Sequence, residues 1–130
     1  MTFTLKALPL LASTQPLNSR NIQKLEVQIA RIKAQLQKHG AMRPGSLSRQ
    51  YNVCGKPGCR CKDPKRPRRH GPYYQLNYVH RGKKTSQFIR REILRRVQTE
   101  LLNYKQFRWL TEQWIGLALK VAQAKDKLAP

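Results

Sequence analysis

Apolar residues along the chain fall into two helical stripes separated by a short alternating stretch. Ile22, Leu25, Ile29, Ile32 and Leu36 advance by steps of three and four. That period keeps them on one side of an α-helix and fits a heptad seam. Asn18 or Ser19 offers a capping oxygen, and Gly40 offers a C-terminal stop, so the predicted helix spans 18–40. A second stripe runs through Leu94, Val97, Leu101, Tyr104, Phe107, Leu110, Trp114, Leu117 and Val121. It predicts a helix over 91–125, either continuous or bent at Gly116. The second helix would be roughly 50 Å long against roughly 30 Å for the first. The excess must be exposed, folded back or covered by another subunit. Trp109, Trp114 and Ile115 broaden its apolar surface, which favours helix pairing as a coiled coil, within the chain or in a homodimer.

Residues 73–79 and 84–90 alternate and are rich in aromatic and β-branched side chains, with His80-Arg81-Gly82-Lys83 between them. This is a hairpin signal. An even-length turn pairs residues whose numbers sum to 163, so Tyr74 faces Ile89, Leu76 faces Gln87 and Tyr78 faces Thr85. That side carries the apolar bulk and should face the core. The other side carries Tyr73, Gln75, Asn77, Lys84, Ser86, Phe88 and Arg90. Residues 43–72 show neither helical nor strand periodicity and are dense in Pro, Gly and cations. A loop of that length needs something to hold it. The expected class is α+β: an N-terminal helix, a zinc-knuckle-like Cys/His loop, a β-hairpin and a long C-terminal helix. The parts are a flexible arm over 1–17, a helix over 18–40, a basic loop and hairpin over 41–90 and a helix over 91–125, in one domain.

The first 17 residues are apolar enough to raise the question of a secretory signal. No basic residue precedes Phe3, Lys6 interrupts the run and Pro9 breaks a helix, so an arm docking through Leu5, Leu8, Leu10 and Leu11 is expected instead. No stretch approaches the length of a membrane span. A cytoplasmic location follows, where thiols stay reduced.

In that setting Cys54, Cys59 and Cys61, spaced C-x4-C-x-C, read as metal ligands, with His70 completing a tetrahedral Cys3His set for a structural Zn2+. Gly55-Lys56-Pro57-Gly58 suits a tight turn with backbone N–H groups aimed at sulfur. Lys56, Arg60 and Lys62 favour thiolates. Reduced metal-free thiols and redox or disulfide chemistry are the alternatives, and His80 and Asp63 are alternative fourth ligands. His39 reads as a helix-end residue.

The segments Pro44-Gly45-Ser46-Leu47-Ser48, C-G-K-x-x-C-x-C over 54–61 and His70-Gly71-Pro72-Tyr73-Tyr74 follow one another in an order that resembles a small prokaryotic family of uncharacterised domains. Gly82-Lys83-Lys84-Thr85 and Asn103-Tyr104-Lys105-Gln106-Phe107-Arg108 continue the likeness, over about residues 44–110. The resemblance implies that the Cys3His set is one unit; it implies no activity.

Charge changes the picture most. The chain of 130 residues carries 27 Lys and Arg against 6 Asp and Glu, a net charge of +21. Such an excess points to a polyanion. Residues 43–96 hold 16 of the cations and only 2 acids. Candidate phosphate contacts are Lys56, Arg60, Lys62, Lys65, Arg66, Arg68, Arg69, Arg81, Lys83, Lys84, Arg90 and Arg91, with Arg95 and Arg96 beyond. Gln75 and Asn77 are amides of the kind that read adenine in a major groove. Tyr73 and Phe88 could instead stack on unpaired bases. The six acids are too scattered for a two-carboxylate or metal-nuclease site, and no phosphate-cradling glycine loop is present. The expected function is therefore a zinc-stabilised binder of nucleic acid, duplex DNA first and DNA ahead of RNA, as a regulator or mobile-element accessory factor and not an enzyme. An RNA or ribonucleoprotein binder, or an adaptor docking an acidic protein through its helices, are the alternatives.

Overall fold

A computed structural model describes residues 17–129; the arm expected over 1–17 lies, Leu17 excepted, outside them. The element order is α1 (Leu17–Gln37), β1 (Ser46–Asn52), a single 3-10 turn (Arg60–Lys62), β2 (His70–His80), β3 (Lys83–Ile89) and α2 (Arg91–Leu128). The class is α+β, as expected. Two compact units are present: one formed by α1 with α2 from Phe107 onwards, the other by Gly40–Gln106.

In the first unit the stripe of α1 meets α2. Ile22 and Leu25 are buried against Val121, with Ile29, Leu117 and Ala124 packed around them. Further along, the Lys33 ammonium lies 5.1 Å from the centre of the Trp114 ring. The His39 and Phe107 rings are 6.2 Å apart and tilted by 51°. The start of α1 thus contacts the end of α2, so the two helices run antiparallel. Two expectations fail here. α1 begins at Leu17, which puts Asn18 and Ser19 inside its first turn and not at the cap. Its end does not use Gly40 as a left-handed stop: Gly40 is not among the positive-φ glycines. The last turn instead tightens through Lys38 N–H to Gln35 C=O and His39 N–H to Leu36 C=O, which satisfies carbonyls that a helix end otherwise leaves free.

The second unit holds an antiparallel sheet of three strands in the order β1-β2-β3. β2 and β3 pair in the anticipated register, with Tyr74 opposite Ile89, Leu76 opposite Gln87 and Tyr78 opposite Thr85. The turn is made by Arg81 at φ 50° and Gly82 at φ 77°. Two successive positive-φ residues give the primed turn whose twist matches the strands. The inner face packs on α2: Leu76, Ile89, Val97 and Leu101 form the buried cluster, with Leu47, Tyr74, Tyr78, Ile93 and Leu94 around it. Leu76 is 1 % exposed and Val97 fully buried, each removal from water contributing about 1.5–3 kcal/mol.

The strand β1 corrects the expectation that residues 43–72 hold no regular structure. Ser46 pairs with Asn77, Ser48 with Gln75, Gln50 with Tyr73 and Asn52 with His70, with an irregularity between Gln50 and Asn52. Only Leu47 reaches the core from this strand, so its alternation is too weak to register as a pattern. β2 also starts at His70, three residues earlier than expected. α2 is continuous through Gly116.

Candidate metal centre

The loop between β1 and β2, residues 53–69, carries all three cysteines, and His70 stands at its far end. Because Asn52 pairs with His70, the sheet itself closes the loop and brings its ends together. Within it, Cys59 N–H donates to Lys56 C=O at 3.4 Å, Lys62 N–H to Cys59 C=O at 3.0 Å and Asp63 N–H to Arg60 C=O at 3.2 Å. Arg68 N–H reaches back to Arg60 C=O at 2.9 Å. The cationic segment is therefore tied to the turn that holds Cys61.

The donor atoms of Cys54, Cys59, Cys61 and His70 all lie within 4.8 Å of one another. Cys54 Sγ and Cys61 Sγ are 3.5 Å apart, and Cys59 Sγ is 3.3 Å from His70 Nε2. A tetrahedral ion with bonds of about 2.3 Å to sulfur requires sulfur–sulfur edges of about 3.8 Å. The two shorter separations are already close to that edge, and drawing the widest, up to 4.8 Å, in by about 1 Å lets the four side chains hold a divalent ion. His80 is at the opposite end of β2, about 33 Å along the strand. The Asp63 carboxylate accepts the Lys65 N–H at 3.0 Å. Of the three candidate fourth ligands, the fold brings His70 to the cysteines.

Backbone N–H groups supplement the donors. Cys54 N–H points at Cys61 Sγ at 3.4 Å. The Lys56 N–H, with His70 and Cys61 adding to it, holds the Cys54 thiol below its ordinary pKa. The Cys61 N–H, with Cys54 next, brings Cys59 down to about 6. Burial pushes the Cys61 thiol up; this residue is 2 % exposed. The Cys54 and then the Cys59 sulfur raise His70, by stabilising its imidazolium. Concentrating thiolate character on adjacent sulfurs is the electrostatic condition that a cation relieves. All three cysteines are free of disulfides.

The cations predicted to contact phosphate divide into two groups. Lys56, Arg60, Lys62, Lys65, Arg66, Arg68 and Arg69 are exposed on the β1–β2 loop, and Arg90 and Arg91 are exposed where β3 passes into α2, at the same end of the sheet. Arg81, Lys83 and Lys84 are exposed at the hairpin turn, the other end of β2, about 30 Å away at the usual rise per strand residue. None of these twelve forms an ion pair among the described residues; Arg43 does so with Glu100 at 3.2 Å, and Lys125 with Glu26 at 3.8 Å. Gln75 and Asn77 lie on the outer sheet face but are engaged within it. Gln50 Nε2 donates to Gln75 Oε1, and Ser86 Oγ donates to Asn77 Oδ1 at 2.6 Å. Gln50 is a member of this face that residue patterns do not reveal, since it depends on β1. Among the described residues no helix is long and apolar enough to cross a membrane.

Searches of curated proteins and of solved structures find no match to the chain. A family model, described as a domain of unknown function (DUF6788), matches residues 19–99. That match reaches back over α1, beyond the segment that carries the recognised motifs, and stops before Asn103–Arg108. It takes in the β1–β2 loop, the whole sheet and the first turns of α2, more than half of the sequence, and the chain therefore belongs to the DUF6788 family of domains of unknown function.

Proposed function

We propose that the chain is a nucleic-acid-binding protein whose cationic β1–β2 loop is ordered by a structural zinc ion. The observation that carries this reading is the convergence of Cys54, Cys59, Cys61 and His70 to within 4.8 Å inside a loop that displays seven cations with no ion pair among the described residues. Three sulfurs and one imidazole are a donor set suited to zinc. When bound, the ion neutralises the thiolates and converts its binding energy into folding energy for the loop. Cys61 and Cys54 anchor the base of the loop, His70 fixes it to β2, and Arg66, Arg68 and Arg69 are held out towards a phosphate backbone. The hairpin-turn cations Arg81, Lys83 and Lys84 supply a second contact at the other end of the sheet. Phosphate contacts position a protein on its polymer without reading sequence. In this reading the chain binds and does not catalyse.

The test joins metal analysis to binding. Protein purified under reducing conditions should carry about one zinc per chain and shift labelled DNA or RNA probes in a gel. A strong chelator should remove both properties together. Binding that persists unchanged after complete zinc removal would separate the loop from the function and reject the reading.

A second reading, an adaptor for an acidic protein, is supported by Trp109, Ile115 and Leu119, which are 63, 53 and 57 % exposed on α2. It predicts partner capture that survives high salt and no affinity for nucleic acid.

A further inference from the structure

We infer that the open face of the three-stranded sheet is a stacking platform for unpaired nucleobases, centred on Tyr73 and Phe88. This inference rests on the nucleic-acid reading above and names the form of polymer that the site takes.

The register decides the face. Residues of one strand alternate between the two sides of a sheet, and Leu76 and Ile89 point to the core. Tyr73, Gln75 and Asn77 of β2, Ser86 and Phe88 of β3, and Ser48 and Gln50 of β1 are therefore on the opposite side. α2 packs on the core side through Val97 and Leu101. On the outer side Tyr73 is 43 % and Phe88 65 % exposed. Gln75 is opposite Phe88, which makes Tyr73 and Phe88 diagonal neighbours on adjoining strands, within reach of each other's rings. Both border one cleft of about 440 Å³ at the end of the sheet, whose lining also takes in the core-side residues Tyr74 and Ile89 and the cations Arg90 and Arg91. That volume lies in the range of small-molecule sites.

The ligand follows from the chemistry of these groups. Two exposed rings offer π-faces, and the complementary surface is the face of a flat heterocycle. In a duplex those faces are buried in the base stack, and the grooves expose only base edges. The edge-reading amides are also committed: Gln75 Oε1 and Asn77 Oδ1 already accept bonds from Gln50 and Ser86. A two-point adenine contact needs both the oxygen and the nitrogen of an amide. Stacking on aromatic rings beside cations is how proteins hold single strands. Arg90 and Arg91, exposed and in no ion pair among the described residues, border the same cleft as the rings, where the phosphates of a stacked strand would run. The recognised unit is an unpaired base joined to phosphate, which DNA and RNA share.

The experiment uses the full zinc-loaded chain and fluorescence anisotropy with a labelled DNA strand of about 15 nucleotides, a site size that a single-strand groove spans, the matching RNA strand and the DNA duplex of the same sequence, at one salt concentration. At least one single strand should bind about tenfold or more tightly than the duplex. Tyr73→Ala and Phe88→Ala should each weaken single-strand binding about tenfold, leave duplex binding unchanged and leave the salt dependence unaltered, since neither removes a charge. Phe88→Trp should retain binding, and circular dichroism should match wild type for all three variants. Duplex binding equal to or tighter than that of both single strands, or alanine variants that bind single strands like wild type, would overturn the stacking platform and leave the nucleic-acid reading standing. Failure of wild type to bind any of the three probes would overturn both. Where a single strand is preferred to the duplex and the alanine variants lose that binding, the platform stands whether the RNA or the DNA strand binds more tightly.

Discussion

His70 Nε2 lies 3.3 Å from Cys59 Sγ, and what holds it there is the sheet, because His70 is paired to Asn52 across the β1–β2 ladder. The cysteines come from a loop without regular structure beyond one 3-10 turn, whereas the histidine comes from a strand. The cluster therefore couples the loop to the hydrogen-bonded sheet of its unit.

The first prediction follows from that coupling. Cys59→Ser should lose the bound metal, because a serine hydroxyl is a poor ligand for a soft-donor site. Residues 53–69 should then exchange amide hydrogens faster, while the α2-facing strands stay protected. Elemental analysis and hydrogen exchange check the two parts. Metal-free wild type with a fully protected loop would show that the loop orders itself without an ion.

A second prediction concerns the loop cations. Replacing Arg66, Arg68 and Arg69 together with alanine should weaken binding and flatten its salt dependence. Each phosphate that the protein no longer neutralises reduces the log–log slope by about 0.7 on single strands and about 0.9 on duplex DNA, so removing three cations changes it by about 2–3. All three side chains are exposed, and the variant's thermal midpoint should stay close to wild type. An unchanged slope, measured by titration at several salt concentrations, would move the contact to Arg81, Lys83 and Lys84.

Gly71 provides the third. It has φ 134°, and a Cβ there would sit 2.7 Å from the Gln50 carbonyl oxygen on the neighbouring strand. Gly71→Ala must either strain its own backbone or push β1 away from β2, at a cost of about 1–3 kcal/mol. The displaced residue is next to His70, so metal affinity should fall as well. Urea denaturation and competition with a chromogenic chelator measure the two effects. Gly55→Ala serves as the control, since its Cβ would meet nothing within 4 Å.

The pairing of Tyr74 with Ile89 and Leu76 with Gln87 is legible along the chain because both strands alternate and a two-residue turn admits one register. The stripe of Ile22, Leu25 and Ile29 is legible because an amphipathic helix repeats its apolar positions over several turns. β1 is not legible: a single core side chain, Leu47, marks it, and its remaining residues show no apolar alternation. The same holds for Gln50, whose role depends on lying beside Tyr73 and Gln75 across a strand pairing.

Chain chemistry alone established the three cysteines with a histidine close behind, the density of cations around them and the hairpin's two faces, because each is a matter of residue type and local period. Three-dimensional folding settled which histidine joins the sulfurs, that a third strand widens the sheet, and that the Gln75 and Asn77 amides are bonded to their neighbours. These depend on contacts between residues far apart in the chain, such as Asn52 with His70 and Gln50 with Gln75, and no local pattern encodes a contact of that span.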